Sequence, residues 1–368
     1  MHIICNQSLL LNAINIALKA CSTKTTKPIL ECILLKAQGQ ELTLTGNSIE
    51  LGIESTIIAN VEEEGIVALE SKIFSEIIRK MPGENVEITV DDKFNTTIVS
   101  ETAKFQIPGR EGKDFPEIPT VQADVSCTIN QYMLKEMINQ TIFSIAQDET
   151  RPIFTGEMFE INNDTLNLVA VDGFRIAFRT AKLSNENDSV RVVLPGKTLQ
   201  EISRILSSEE HEVVTIHFGD KHVLFDLGQS KVVSNLLQGD FLKYETVFSS
   251  DYETKILANK KNLLMSLERA ALISREGKKN PIKISITADK MIIATQTDLG
   301  TSREEIDVDL EGKELTIAFN PKYLIDALKA IEDERVYLQF ISSYTPCIIH
   351  PQEGEKYKYL ILPVRVNN

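Results

Sequence analysis

The sequence has no tryptophan, and its five cysteines, Cys5, Cys21, Cys32, Cys127 and Cys347, stand far apart. None belongs to a C-x-x-C pair, so no zinc-finger or dithiol redox motif is encoded, and the odd, scattered set reads as reduced structural thiols. The five histidines, His2, His211, His217, His222 and His350, make no H-E-x-x-H and have no cysteine at ligand spacing. Neither a metal nor a cofactor is expected. No apolar run reaches the roughly 18 residues that span a bilayer, and no basic segment leads into a hydrophobic stretch at the N-terminus. The chain is therefore expected in the cytoplasm, away from membranes. Positive charge is also scarce: 39 Lys and Arg face 53 Asp and Glu, for a formal net charge of −14 at pH 7. Phosphates would repel such a surface taken whole, so any nucleic-acid contact must use a segregated basic face.

What is abundant is internal repetition. A chain of 368 residues exceeds one ordinary core, and self-similarity at a period of about 125 residues divides it into three. Around Pro28, Pro152 and Pro281 the chain reads TKPILECILL, TRPIFTGEMF and KNPIKISITA. Upstream of each lies an amphipathic helical segment (LLLNAINIALKA, MLKEMINQTIFSIA, NLLMSLERAALIS), and downstream a strand pattern with a turn (LTLTGNSIELGI, LNLVAVDGFRIAF, MIIATQTDLGTS). A second helix follows in each copy: LESKIFSEIIRKM, LPGKTLQEISRIL and FNPKYLIDALKAI. Alternating segments such as NVEITV, EVVTIHF and RVYLQF come next, so each unit is α+β, with two helices and a larger number of antiparallel strands. The expected domains are 1–124, 125–250 and 251–368, with short junctions near Asp124 and Ser250.

The second helices carry a functional pattern. Lys72, Lys197 and Lys322 are separated by identical intervals of 125 residues, and each is followed seven positions later by another cation: Arg79, Arg204 and Lys329. Seven residues are two helical turns, and at roughly 100° per residue the two positions differ by only about 20°, so each pair shares one stripe. Apolar residues fall on the opposite face: Phe74, Ile77 and Met81; Leu199, Ile202 and Leu206; Leu324, Ala327 and Ile331. Lysines on one solvated helix face are ordinary. Three copies in an acidic chain imply a common surface for phosphate, positioning a duplex without reading its bases.

At these residues the chain resembles the beta sliding clamp family of bacterial DNA polymerase III over essentially its full length. TKPILECILL with LTLTGNSIEL, AQDETRPIFTGEMFE with LVAVDGFRIA, and ERAALIS, IAFNPKYLIDAL and YLILPVRV carry the match. The resemblance implies a head-to-tail homodimer closed into a ring of six clamp domains. It also implies a non-catalytic processivity factor that encircles duplex DNA and tethers polymerases, with the clamp loader as a further partner. For DNA it adds Lys24, Gln147 and Arg151 to the lysines Lys72 and Lys197. For the dimer contact it implies Phe105 and Ile107 of one subunit against Leu272 and Ile273 of the other; taken alone, all four read as intramolecular core. A partner-peptide pocket is implied between the second and third units. One wall would be Phe154, Val171, Gly173, Phe174, Arg175 and Ile176, the other Leu360, Ile361, Leu362, Pro363, Val364 and Arg365. Without the resemblance, DGFR is a hairpin-like turn and YLILPVRV a last strand.

Enzyme readings rest on little. Asp148 and Glu149 beside Arg151 would suit acid–base work but read as a charged loop, and no G-x-x-x-x-G-K-[ST], G-x-S-x-G or helix-opening G-x-G-x-x-G is present. A protein-binding scaffold that ignores DNA and a repeat-built hydrolase remain the alternatives.

Overall fold

The computed structural model describes residues 1–22, 25–123, 125–274 and 281–365. Lys24 and the boundary residue Asp124 lie outside the described residues. Contacts divide the chain into two compact units, Met1–Tyr132 with Arg204–Leu236, and Met133–Ser203 with Leu237–Asn368. The middle repeat is thus divided, with residues 204–236 in the first unit and 133–203 in the second.

Six α-helices occur among the described residues: α1 Gln7–Ala17, α2 Ser71–Lys80, α3 Gln131–Asn139, α4 Gly196–Ile205, α5 Lys260–Ala271 and α6 Pro321–Ala330. Their starts are set locally. The side chains of Asn6, Glu70, Asn259 and Asn320 each accept hydrogen bonds from backbone N–H groups of the first turn of α1, α2, α5 and α6, contacts worth about 1 kcal/mol each. α3 stops well short of the MLKEMINQTIFSIA segment expected to be helical. Thr141 turns its hydroxyl back to the Met137 carbonyl at 2.7 Å, and Ile142–Ser144 tighten into a 3₁₀ turn.

In the first unit a five-stranded and a nine-stranded sheet carry the core. Leu10 and Ile14 of α1 and Phe74, Ile77 and Ile78 of α2 join Ile33, Leu35, Leu42 and Leu44 in one apolar cluster. The second unit is built on a ten-stranded sheet, with Leu263 and Leu267 of α5 and Leu324 and Leu328 of α6 packed on Ile256, Ile284, Ile293 and Leu338. Each fully buried Leu or Ile stabilises by about 1.5–3 kcal/mol, which outweighs any single cap.

Each unit also fuses strands of successive repeats. Leu51–Ile58 pairs antiparallel with Ser230–Asn235, with Ile53 opposite Val232. In the same way Arg175–Pro195 pairs with Tyr357–Ile361, with Ile176 opposite Leu360. Repeat junctions are therefore unbroken sheet, with no unpaired edge left there.

Candidate peptide groove and nucleic-acid interface

The turn between the strands Gly156–Val171 and Arg175–Pro195 is fixed by Asp172. Its Oδ1 accepts from the N–H of Phe174 at 2.9 Å and of Arg175 at 3.1 Å, and Gly173 takes a left-handed φ of 89° that a side chain would strain. The turn drives Arg175 inward. Its guanidinium donates to Asp172 Oδ2 at 2.8 Å, Asp326 Oδ2 at 2.8 Å and the Phe143 carbonyl at 2.6 Å. Its plane also lies over the rings of Tyr323, 4.7 Å to the centroid, and Phe143, 5.3 Å. With only 7% of its surface exposed, Arg175 is a rivet beneath the turn. It positions the groove and offers little free charge to a ligand.

Phe174 points the other way. It is 54% exposed and stacks on Tyr323 with ring centroids 6.0 Å apart and planes 20° from parallel. Its carbonyl accepts from the Leu362 N–H at 2.9 Å, and Val364 N–H reaches the Ala318 carbonyl at 2.8 Å, so the C-terminal segment is tied along this margin. Leu362 and Arg365 are exposed, and Pro363 and Val364 half-buried. Behind them Val171, Ile176 and Leu360 join one apolar cluster with Met158, Val169, Val193 and Tyr244, against which Phe154 packs. Four of the twelve expected groove residues, Phe154, Val171, Ile176 and Leu360, belong to or pack on that one apolar cluster. Two serve differently: Arg175 supports it from below, and Ile361, 1% exposed, belongs to the core built on α5 and α6.

The other side of this surface escapes the sequence reading. Phe241, Leu242, Val247 and Phe248, from the segment leading out of the middle repeat, pack on the same cluster, and Phe154 meets Phe241 edge-on at 5.6 Å. A signal for it exists: DFLKYETV at 240–247 echoes DFPEIPTV at 114–121. Tyr323, adjacent to Lys322, is likewise visible in the sequence only as a helix residue.

The cation-bearing helices behave as their period requires. Lys72, Arg79, Lys197, Arg204, Lys322 and Lys329 are all exposed, while Phe74, Leu199, Ile202, Leu324 and Ala327 are buried on the reverse faces. The copies differ in how their charges are held. Among the described residues no carboxylate lies within ion-pair distance of Lys72, Arg79 or Lys197, whereas Lys322 meets Asp326 at 3.7 Å and Lys329 meets Glu268 at 2.8 Å. Gln147 and Arg151 are exposed on the loop after α3, with Arg151 over the Phe154 ring. Asp148 there accepts from Thr150 N–H at 3.1 Å, the bonding of a surface turn.

Phe105 is exposed and Ile107 half-buried on Ala103–Pro108, the edge strand of the five-stranded sheet in the first unit. Leu272, 78% exposed, caps α5 in the second unit, and the half-buried Ile273 follows it. The intramolecular-core reading does not suit Phe105 or Leu272.

No group of three or more His, Cys, Asp or Glu side chains is arranged to hold a metal ion among the described residues. All five cysteines are free. Burial pushes the thiols of Cys5, Cys21 and Cys127 up to about 12, away from reactive thiolate. No helix of the described residues is long and apolar enough to cross a membrane.

Three α+β repeats sharing one helix-and-sheet plan, with cations on the second helix of each, define the clamp class of fold. Residues 1–119, 128–243 and 245–365 match the N-terminal, central and C-terminal domains described for the DNA polymerase III beta subunit. The chain is 35% identical over 366 residues to a beta sliding clamp of Staphylococcus epidermidis, covering 96% of this chain and 97% of that protein. Its fold is similar to a putative DNA polymerase III beta subunit of Eubacterium rectale, with TM-score 0.96 and 45% identity, and to the polymerase sliding clamp of Bacillus subtilis, with TM-score 0.96 and 34% identity; both matches cover 100% of each chain. The chain belongs to the DNA polymerase III beta subunit family, the bacterial beta sliding clamps.

Proposed function

We infer that the protein is a DNA polymerase processivity factor, acting in the cytoplasm as a head-to-tail homodimer that closes around duplex DNA. The observation that carries this reading is the exposed cation pair on α2, α4 and α6, kept at 125-residue spacing in a chain of net charge −14. The domains are 1–124, 125–250 and 251–368, with Phe105 and Ile107 meeting Leu272 and Ile273 across each subunit boundary. Contacts of this kind bind DNA nonspecifically at about 10⁻⁴ to 10⁻⁶ M, too weakly to hold a polymerase in place. Closure of the ring supplies the retention, and a tethered polymerase then meets its template at high effective concentration.

Polymerases and the clamp loader dock as short peptides on the groove of the second unit. Apolar anchors bury against Phe154, Val171, Ile176, Leu360 and Leu362, while the Gly173–Phe174 turn leaves backbone within reach of a polar residue. No catalytic step is assigned to the chain. Its role is positional.

The test uses protein placed on nicked circular plasmid by a bacterial clamp loader. It should stay bound through gel filtration and run off when the plasmid is cut once. Equal retention on circular and linear DNA would remove the encirclement reading, and a light-scattering mass of one subunit at micromolar concentration would remove the dimer.

A further inference from the structure

A turn capped by a side-chain oxygen lies at the position of the groove turn in all three repeats. Asp172, with Phe174 two residues on, lies 125 residues after Asn47 and Ile49 and 125 residues before Thr297 and Leu299. In every copy the first residue's side-chain oxygen caps the N–H of the apolar residue: Asn47 to Ile49 at 2.7 Å, Asp172 to Phe174 at 2.9 Å, Thr297 to Leu299 at 3.2 Å. In every copy that residue is held out into solvent, Ile49 at 58%, Phe174 at 54% and Leu299 at 51%. Single exposed apolar residues are ordinary. The same one, capped the same way at equal spacing three times, is a built feature.

Phe174 has a role in the groove, and Leu299 has a candidate one, since Thr297 also bonds the carbonyl of Ile273, a residue of the proposed dimer contact. Ile49 has none. It also takes a left-handed φ of 78°, where a β-branched residue is strained, so the first copy keeps an exposed isoleucine in a conformation that glycine or asparagine would adopt more easily. Two chain segments flank its turn. The outgoing linker lies on one side, where Asn47 Nδ2 donates to the Pro116 carbonyl at 3.1 Å and Ile118 covers Gly52. The end of the fused strand lies on the other, where Asn235 N–H donates to the Glu50 carbonyl at 3.0 Å and Leu236 follows, half-buried.

We propose that the Asn47–Leu51 turn, flanked by the segments that carry Ile118 and Leu236, is a second peptide-docking surface, and that its occupant is a partner segment with an apolar anchor flanked by lysine or arginine. Charge selects that occupant. Where the groove turn has Arg175, this one has Glu50, exposed, and Glu117 lies exposed next to Pro116. Neither has an ion-pair partner within 4 Å among the described residues, and one lysine, Lys221, bonds this margin through its carbonyl. Two exposed carboxylates beside the turn favour a basic peptide.

The inference rests on the groove of the second unit being a peptide site, and the experiment separates the two. The probe is a short fluorescein-labelled peptide with a Leu-Phe anchor between lysines, and a matched peptide carries glutamates instead. The full-length protein should bind two equivalents of the lysine peptide per chain, and Ile49→Asp should leave one. Leu362→Asp should also leave one, and that remaining site should prefer the lysine peptide over the glutamate peptide by at least about tenfold. Ile49 is exposed, and an unchanged melting temperature of Ile49→Asp checks the fold. One equivalent on the unaltered protein, or two retained by Ile49→Asp, overturns the proposal. If Leu362→Asp removes no site while Ile49→Asp removes one, the groove reading fails and the turn stands as the peptide site.

Discussion

The groove around Arg175 and the cation-bearing faces of α2, α4 and α6 are built on opposite plans. The groove depends on a few groups held in fixed geometry: a guanidinium with three short hydrogen bonds and two aromatic neighbours, under a turn set by one aspartate. On the helix faces Lys72, Arg79 and Lys197 extend into solvent with no carboxylate at ion-pair distance among the described residues. A surface that must grip one peptide needs preorganisation, because ordering side chains on binding costs affinity. A surface that must let DNA pass needs charge without fixed geometry, since a rigid contact would hold one register. On the proposed function, the fold serves both needs by burying the polar groups of the first surface and exposing those of the second.

The contrast is broken most severely at Arg175. Removing it by Arg175→Ala leaves Asp172 Oδ2 and the Phe143 carbonyl without their donor around a cavity and leaves Asp326 with Lys322 alone, and deleting one partner from a buried ion pair costs about 3–5 kcal/mol. Denaturant unfolding of the variant should show a destabilisation of that size together with loss of groove peptide binding. A change below about 1 kcal/mol would mean the guanidinium is not the rivet described. Next in size is Glu157, fully buried in the same unit, with one oxygen held by the Thr141 hydroxyl and Oε2 without a partner among the described residues. Desolvation raises its carboxyl from the usual value near 4.5 to about 8. The fold therefore keeps a proton that the unfolded chain releases. The stability due to the neutral carboxyl is complete below about pH 4.5, falls as pH rises from there to about 8, and is gone above. Glu157→Gln keeps an amide for Thr141 and cannot ionise. Melting curves should coincide with the unaltered protein near pH 4 and separate through that window, the variant more stable by up to about 4 kcal/mol at pH 8. Parallel curves across that range would remove the assignment.

Both groups show what the sequence makes legible and what it hides. The 125-residue register is readable because helices repeat their periodicity within a few turns, so the stripe of Lys72 and Arg79 over Phe74 and Ile77 needs no tertiary knowledge. Phe154, Val171, Phe174 and Leu362 are reached through family motifs, since apolar residues in a strand do not announce which neighbour they will meet. The inward course of Arg175 is hidden, because its partner Asp326, on α6, is 151 residues away. Glu157 is hidden for the same reason: nothing near it in the chain marks a carboxylate as dry. The early end of α3 has a local signal that apolar periodicity masks, the β-branched Thr141 bonding back to the preceding turn.

The finest comparison lies within the helix faces themselves. Removing one cation that neutralises a phosphate should reduce the slope of log affinity against log salt by about 0.9, so Lys72→Ala and Lys197→Ala should each show close to that change on a short duplex, measured by fluorescence anisotropy. Lys329 must leave Glu268 to reach a phosphate, so Lys329→Ala should change the slope by less. Glu268→Gln frees that lysine and should steepen the slope of an otherwise unaltered protein. Folding stability should move by no more than about 0.5 kcal/mol in any of these variants, because pairs this exposed contribute little. Equal slope changes at Lys72 and Lys329 would mean that the third copy's ion pair offers no resistance, and that all three helices present their charge to DNA on the same terms.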